Sequence, residues 1–226
     1  MTREKFDQQI KKLLDDILIL GSMTENAIID SVAALTLQDL AKAKRIRKRD
    51  KKINAKRYHI ENEALMTIAT QAPMATDLRV LASIIDVAGE LERMGDYAKG
   101  IALITKKLGK EPLLKPLIDI PKMAEIATDM LHRALEAFTR VDVDMAWIIP
   151  KDDDLVDDLY NQVYRNLLAH MISDPTTIDK ATYLIWVAHN LERVADRVTN
   201  ICERTLFIET GELHEIKPSD DEAQGK

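Results

Sequence analysis

The sequence predicts an all-α protein built as two tandem antiparallel three-helix bundles. Three observations carry this. Apolar residues recur at i, i+3, i+4 and i+7 over most of the 226 residues, the signature of amphipathic helices. Only 7 Gly and 7 Pro are present and aromatics are 4%, too little turn and strand material for a many-stranded sheet. The third is a repeat. Leu91-Glu92-Arg93-Met94-Gly95-Asp96 returns about 100 residues on as Leu191-Glu192-Arg193-Val194-Ala195-Asp196, and internal repetition at a fixed period marks duplicated structural units.

Taken in order, a first helix is expected from about Thr2 to Leu35, on Phe6, Ile10, Leu13, Ile17 and Leu20, with Gly21-Ser22 as an interruption. A second runs from Gln38-Asp39 to about Ala72, its first half strongly basic (Lys42 to Arg57), and Pro73 ends it because the residue before proline avoids the helical region. Thr76 is a candidate cap for the third helix, which ends near Gly109. Prolines at 112, 116 and 121 mark the boundary between units. A fourth helix covers about Lys122 to Arg140. A fifth covers about Asp142 to Ile172 and is kinked or split by Pro150. A sixth covers about Thr177 to Glu209 and stops at Gly211. The division is therefore 1–110, 111–211 and a charged, frayed tail at 212–226.

Composition narrows the function. A net charge of -6 argues against a general nucleic-acid binder. The N-terminal ten residues are polar, without the apolar core of a signal segment, and no uninterrupted apolar run approaches the roughly 20 residues of a transmembrane span. A single cysteine, Cys202, excludes an intrachain disulfide and fits a reducing compartment. The expectation is a cytoplasmic protein.

The chemistry of the repeat lies in its carboxylates. Glu and Asp four apart sit about 40° apart around a helix axis and point the same way. Distances from the turns extend this to neighbouring helices. Asp50 lies about 24 residues before a turn centred near Met74 and Asp96 about 22 after, with Asn54 and Glu92 matched likewise. Around Asp174, Asp153 stands about 21 before and Asp196 about 22 after, and Asp157 and Glu192 form a second matched pair. Asp50, Glu92 and Asp96 thus form one candidate metal site, and Asp153, Asp157, Glu192 and Asp196 the other. Oxygen ligands of this kind suit magnesium, manganese, calcium or iron, and zinc is a further candidate. His189 and Asn200 are possible extra ligands in the second unit, where the first has Gly89 and Gly100. The same spacing also serves ordinary salt-bridge networks, with Arg93, Arg193 and nearby lysines as the cations. A metal-free helical scaffold and a carboxylate-bridged metal enzyme are the competing readings. The latter lacks the Glu-x-x-His pair of di-iron bundles, because Gly95 and Ala195 follow the two glutamates.

These segments, with Arg49-Asp50, Gln71-Ala72-Pro73, Thr76-Asp77-Leu78-Arg79 and Asn190-Leu191-Glu192-Arg193-Val194-Ala195-Asp196-Arg197, make the chain resemble the PhoU family of accessory and regulatory proteins of bacterial phosphate-specific transport. The resemblance runs from the Phe6 helix to about Glu212. It implies two three-helix bundles with metal clusters on the repeated carboxylates. It further implies a cytoplasmic homodimer that restrains phosphate uptake and phosphate-starvation genes through contact with the phosphate ABC transporter and a membrane sensor histidine kinase, with no catalytic activity. Asn54, where Asp157 leads one to expect an aspartate, departs from the repeat.

Overall fold

A computed structural model describes residues 3–216. Six long helical rods make up the fold: α1 (Arg3–Thr36), α2 (Leu40–Gln71), α3 (Thr76–Leu108), α4 (Asp119–Arg140), a fifth rod, and a final helix. The fifth rod is broken at the predicted proline. A six-residue helix α5 (Val143–Ile148) runs into a 3-10 turn (Ile149–Asp152) holding Pro150, and the α-helix resumes as α6 (Asp153–Ser173). Proline lacks the donor for the helix ladder and crowds the carbonyl four residues back. After a second 3-10 turn (Pro175–Thr177) comes α7 (Ile178–Thr210), ended by Gly211 at φ 78°. Thr2, expected at the start of α1, lies outside the described residues.

The duplication is visible in burial. Leu81, Ile84, Val87, Ala88, Leu91, Met94, Ala98 and Ile101 of α3 are buried, and so is the residue 100 positions on in α7 in every case. It is visible in the turns too. α1 ends on Gln38 and α4 on Val141, both left-handed, and each is followed by an aspartate, Asp39 or Asp142, that caps the next helix by accepting from the backbone N–H three residues on. A β-branched residue in the left-handed region is strained, so the Val141 turn is held by its cap and by the Asp142 N–H bond to Ala137 O.

α3 packs on α1 and α2, α7 packs on α4 and α6, and α3 and α7 pack on each other. Their contact is antiparallel and in strict register. Asp86 meets Arg204, Glu90 meets Asn200, Gly100 lies against Asn190, and Lys107 sits over the Tyr183 ring. Each step forward along α3 is one step back along α7. One large hydrophobic cluster runs through both units, with a small second one of Ala34, Ala43, Ile46 and Ala102 beside it.

Several local expectations are corrected. Thr76 does not cap α3. The residue at the cap position, Ala75, makes no side-chain cap bond, and the Thr76 hydroxyl accepts from Arg79. Gly21 does not interrupt α1; it is buried where Leu135 of α4 crosses, and a Cβ there would stand 2.2 Å from the Leu135 Cδ1. α1 is also more apolar than its longest uninterrupted run suggests. By length and composition it is long and apolar enough to cross a bilayer, yet its buried stripe of Leu13, Ile17, Leu20, Ile28 and Leu35 belongs to the common core. Of the tail expected at 212–226, residues 217–226 lie outside the described residues. Ile216 folds back, its side chain against the core and its N–H donating to Glu203 Oε1 at 2.9 Å.

Two glycines test this packing. Gly21→Leu overfills the α1–α4 crossing and should cost about 1–3 kcal/mol, read as a lower urea midpoint. Gly89, with open space around a Cβ, should behave oppositely: Gly89→Ala gains about 0.5–1 kcal/mol of helix propensity. An unchanged midpoint for Gly21→Leu would disprove the close crossing.

Candidate functional site

In the first unit the carboxylates meet at one height, as the turn arithmetic requires. Asp50, buried on α2, faces Asp96 of α3, and Lys99, one turn further along α3, places its Nζ 2.9 Å from Asp50 and 3.0 Å from Asp96. Hydrogen bonds from Lys99 to Asp50 and then to Asp96 hold its ammonium above the ordinary lysine range. Glu92 lies one turn back. Burial first, then the Asp96 charge, pushes its carboxyl up, and Arg57 offsets part of this. Arg93, the adjacent cation, turns away to Glu90 at 3.1 Å.

The second unit assembles its acids more tightly. Asp153 stands in the first turn of α6 with 8% of its surface exposed. A helix N-terminus favours the ionised form, but burial outweighs it. Burial, followed by the charges of Asp196, Asp157 and Glu192, pushes Asp153 up to about 7. Asp157 and Asp196 are also raised, in both cases by burial and then by Glu192. The balancing cation is Arg193. Its Nε and Nη2 donate to the two oxygens of Glu192 at 2.7 Å each, and its Nη1 lies 2.9 Å from Asp196. His189 approaches Glu192 at 3.3 Å. A cavity of about 550 Å³ opens here, lined by Asp153, Asp157, Asp196, Arg193 and Arg197 among others.

All seven predicted carboxylates are thus drawn into two clusters, but the metal ions expected on them are not supported. Among the described residues, no three or more His, Cys, Asp or Glu side chains are grouped so as to hold a metal ion. Iron, manganese, magnesium, calcium and zinc are alike without a ligand set. The reason lies in the donor chemistry. Lys99 occupies an oxygen each of Asp50 and Asp96, and the Arg193 fork occupies both oxygens of Glu192 and one of Asp196. Asp50 Oδ1 and Asp153 Oδ1 are buried without a hydrogen-bond partner, but neither belongs to a group of acids placed to share an ion. Like charges are offset here by ammonium, guanidinium and retained protons. Asn200 does not join the acids either; its Nδ2 donates to Glu90 at 3.3 Å.

Sequence reasoning missed this last feature. Glu90 of α3 is held by Arg93 on its own helix and by Arg197 and Asn200 of α7, at 3.1, 3.3 and 3.3 Å. Only the α3–α7 register reveals it. Lys99 was legible only as one nearby lysine among several. Cys202 offers no nucleophile. It is fully buried, and burial pushes its thiol up to about 12.

Asp153 sets a pH test. Its folded-state value lies above its ordinary 3.8, so the folded chain binds the proton more tightly than the unfolded one. Stability from this group is therefore greatest in acid and is lost as pH rises to about 7. Asp153→Asn should raise the melting temperature at alkaline pH by several degrees, and the gain should shrink toward pH 4. A melting temperature equally displaced at every pH would reject the buried proton.

A family model described as the PhoU domain matches residues 17–105 and again 120–205. The phosphate-specific transport system accessory protein PhoU homolog of Clostridium acetobutylicum is 35% identical over 212 residues, covering 93% of this chain and 97% of that protein. The PhoU accessory protein of Escherichia coli is 30% identical over 208 residues, 92% of this chain and 86% of its own length. Among solved structures, the phosphate transport system regulatory protein PhoU of Streptococcus pneumoniae superposes with a TM-score of 0.87 at 30% identity, covering 93% of this chain and all of that one. PhoU of Pseudomonas aeruginosa gives 0.86 at 29%, covering 92% of this chain.

Proposed function

The chain belongs to the PhoU family of phosphate transport regulatory proteins, and from that premise we propose that it is a negative regulator, restraining phosphate uptake and the phosphate-starvation response when phosphate is plentiful. Its general role is regulation of phosphate homeostasis in the cytoplasm, and it is not an enzyme. The observation that carries the finer reading is the likeness to transport-system accessory proteins over both repeats, at nearly full length on each side. It works as a homodimer and contacts the phosphate ABC transporter and a sensor histidine kinase at the cytoplasmic face of the membrane. Its working parts are the units 1–110 and 111–211.

Within the first unit the carboxylates serve a structural end. Lys99 of α3 ties Asp50 of α2 to Asp96 of its own helix. In the second unit Arg193 holds Glu192 and Asp196 within α7, opposite Asp153 and Asp157 of α6. Support for the structural role comes from the Lys99–Asp50 ion pair, which links two helices at matched heights. Such a link opposes sliding of one helix past the next, which a protein that must present a fixed surface to partners requires.

Deleting the gene in its host tests the regulatory reading. Phosphate uptake and starvation-gene expression should rise several-fold in high phosphate, measured by labelled phosphate transport and transcript level. An unchanged response, in a host with no second copy, would overturn it.

A further inference from the structure

The outer face of the first half of α2 carries an unbalanced positive charge. Lys44, Arg47, Lys48, Lys51 and Lys52 are all exposed and pair with no acid among the described residues. Arg45 and Arg49 are exposed beside them, and their acids, Asp39 and Asp30, come from outside the run. A solvated helix face ordinarily sets acids three or four residues from its bases. Here the four-residue neighbours Lys44–Lys48, Arg45–Arg49, Arg47–Lys51 and Lys48–Lys52 are all like-charged, and each pair opposes the helix that holds it. The chain as a whole is acidic, at -6, so the patch does not follow from composition.

The same stripe continues along α2 and changes character. Tyr58, Leu65 and Met66 are 55%, 51% and 60% exposed, and Met74 beyond the helix end is 80% exposed. Tyr58 and Leu65 follow Lys44, Lys48 and Lys51 at helical spacing. One long convex face thus offers cations and then large apolar tips.

We propose that this face of α2 docks on anionic lipid headgroups. The proposal rests on the functional reading above only in that a regulator of membrane proteins works at a membrane face. Charge complementarity selects an anionic occupant. The shape selects an extended one. The basic groups fan over roughly half of the helix circumference, so they diverge instead of converging on a small anion. A compliant sheet of headgroups can follow such a face, and the exposed Leu65, Met66 and Met74 suit the boundary between headgroups and acyl chains. The helix does not insert, because its apolar side, including Ile46, Ile53 and Ile60, is already buried in the protein.

The test is co-sedimentation of the full chain with vesicles. It should pellet with equal parts phosphatidylglycerol and phosphatidylcholine, not with phosphatidylcholine alone, and should be released at about 0.5 M salt. Lys44→Glu, Lys48→Glu and Lys51→Glu together should weaken binding at least about tenfold. Lys5→Glu, Lys11→Glu and Lys122→Glu, which change net charge equally at other exposed sites, should leave it nearly intact. All variants lie on the surface, and circular dichroism verifies their folding. Absence of anionic-vesicle binding, or equal loss in both triple variants, overturns the proposal. So does loss of phosphate control in the α2 variant when the unaltered chain binds no vesicles, since the patch then serves an acidic protein partner. Vesicle binding that persists while gene deletion leaves the phosphate response unchanged would overturn the regulatory reading and spare this one.

Discussion

The antiparallel contact between α3 and α7 is the constraint on which the rest depends. Two helices of 33 residues each lie in a fixed register over much of their length, and every other helix packs on one or the other, with direct α1–α2, α1–α4 and α4–α6 contacts completing the assembly. Their apolar stripes face two ways at once, toward the partner helix and toward their own bundle. For that reason Leu91 and Leu191 and the residues around them are small or aliphatic and fully buried. The polar contacts in the seam fix the register, because sliding by one turn would leave the partly buried Glu90 without Arg197 and Asn200.

Electrostatics follows from that geometry. Burying the motif carboxylates against a neighbouring helix puts negative charges at a common height, and each unit meets the cost differently. The first uses a lysine three residues past its aspartate. The second uses the arginine next to its glutamate, and retains a proton on Asp153. The repeated Arg93 and Arg193 are therefore not equivalent in role. Identity of sequence pattern does not carry identity of pairing, because rotamers are chosen by the acids nearby, and Arg93 has Glu90 within reach where Arg193 has Asn190 three residues back.

Much of the fold was legible in the sequence. Asp39, Pro150, Gly109 and Gly211 act locally, and helix ends near them fell within a few residues of expectation. The heights of Asp50, Asp96, Asp153 and Asp196 were legible because rise per residue is fixed. What was not legible depends on side-chain direction across space. The spacing of acids does not say whether a lysine or a metal will sit between them, and Lys99 decided it. Gly21 read as an interruption because Leu135, which needs the room, lies more than 100 residues away. The reach of Arg197 and Asn200 to Glu90 had no local signal.

The seam also bears on ancestry. An antiparallel pair of like helices is self-complementary, so a lone three-helix unit would present a face able to bind its own copy. In such a pair symmetry would force the two halves of the seam to be identical. Joined in one chain, they need not be. Glu90 meets Asn200 at one place, while at its symmetry mate Asn190 lies against Gly100, where a Cβ would stand 3.1 Å from the Asn190 amide. Covalent fusion thus let a contact that had to be the same twice become two different contacts, and freed each half to be selected on its own.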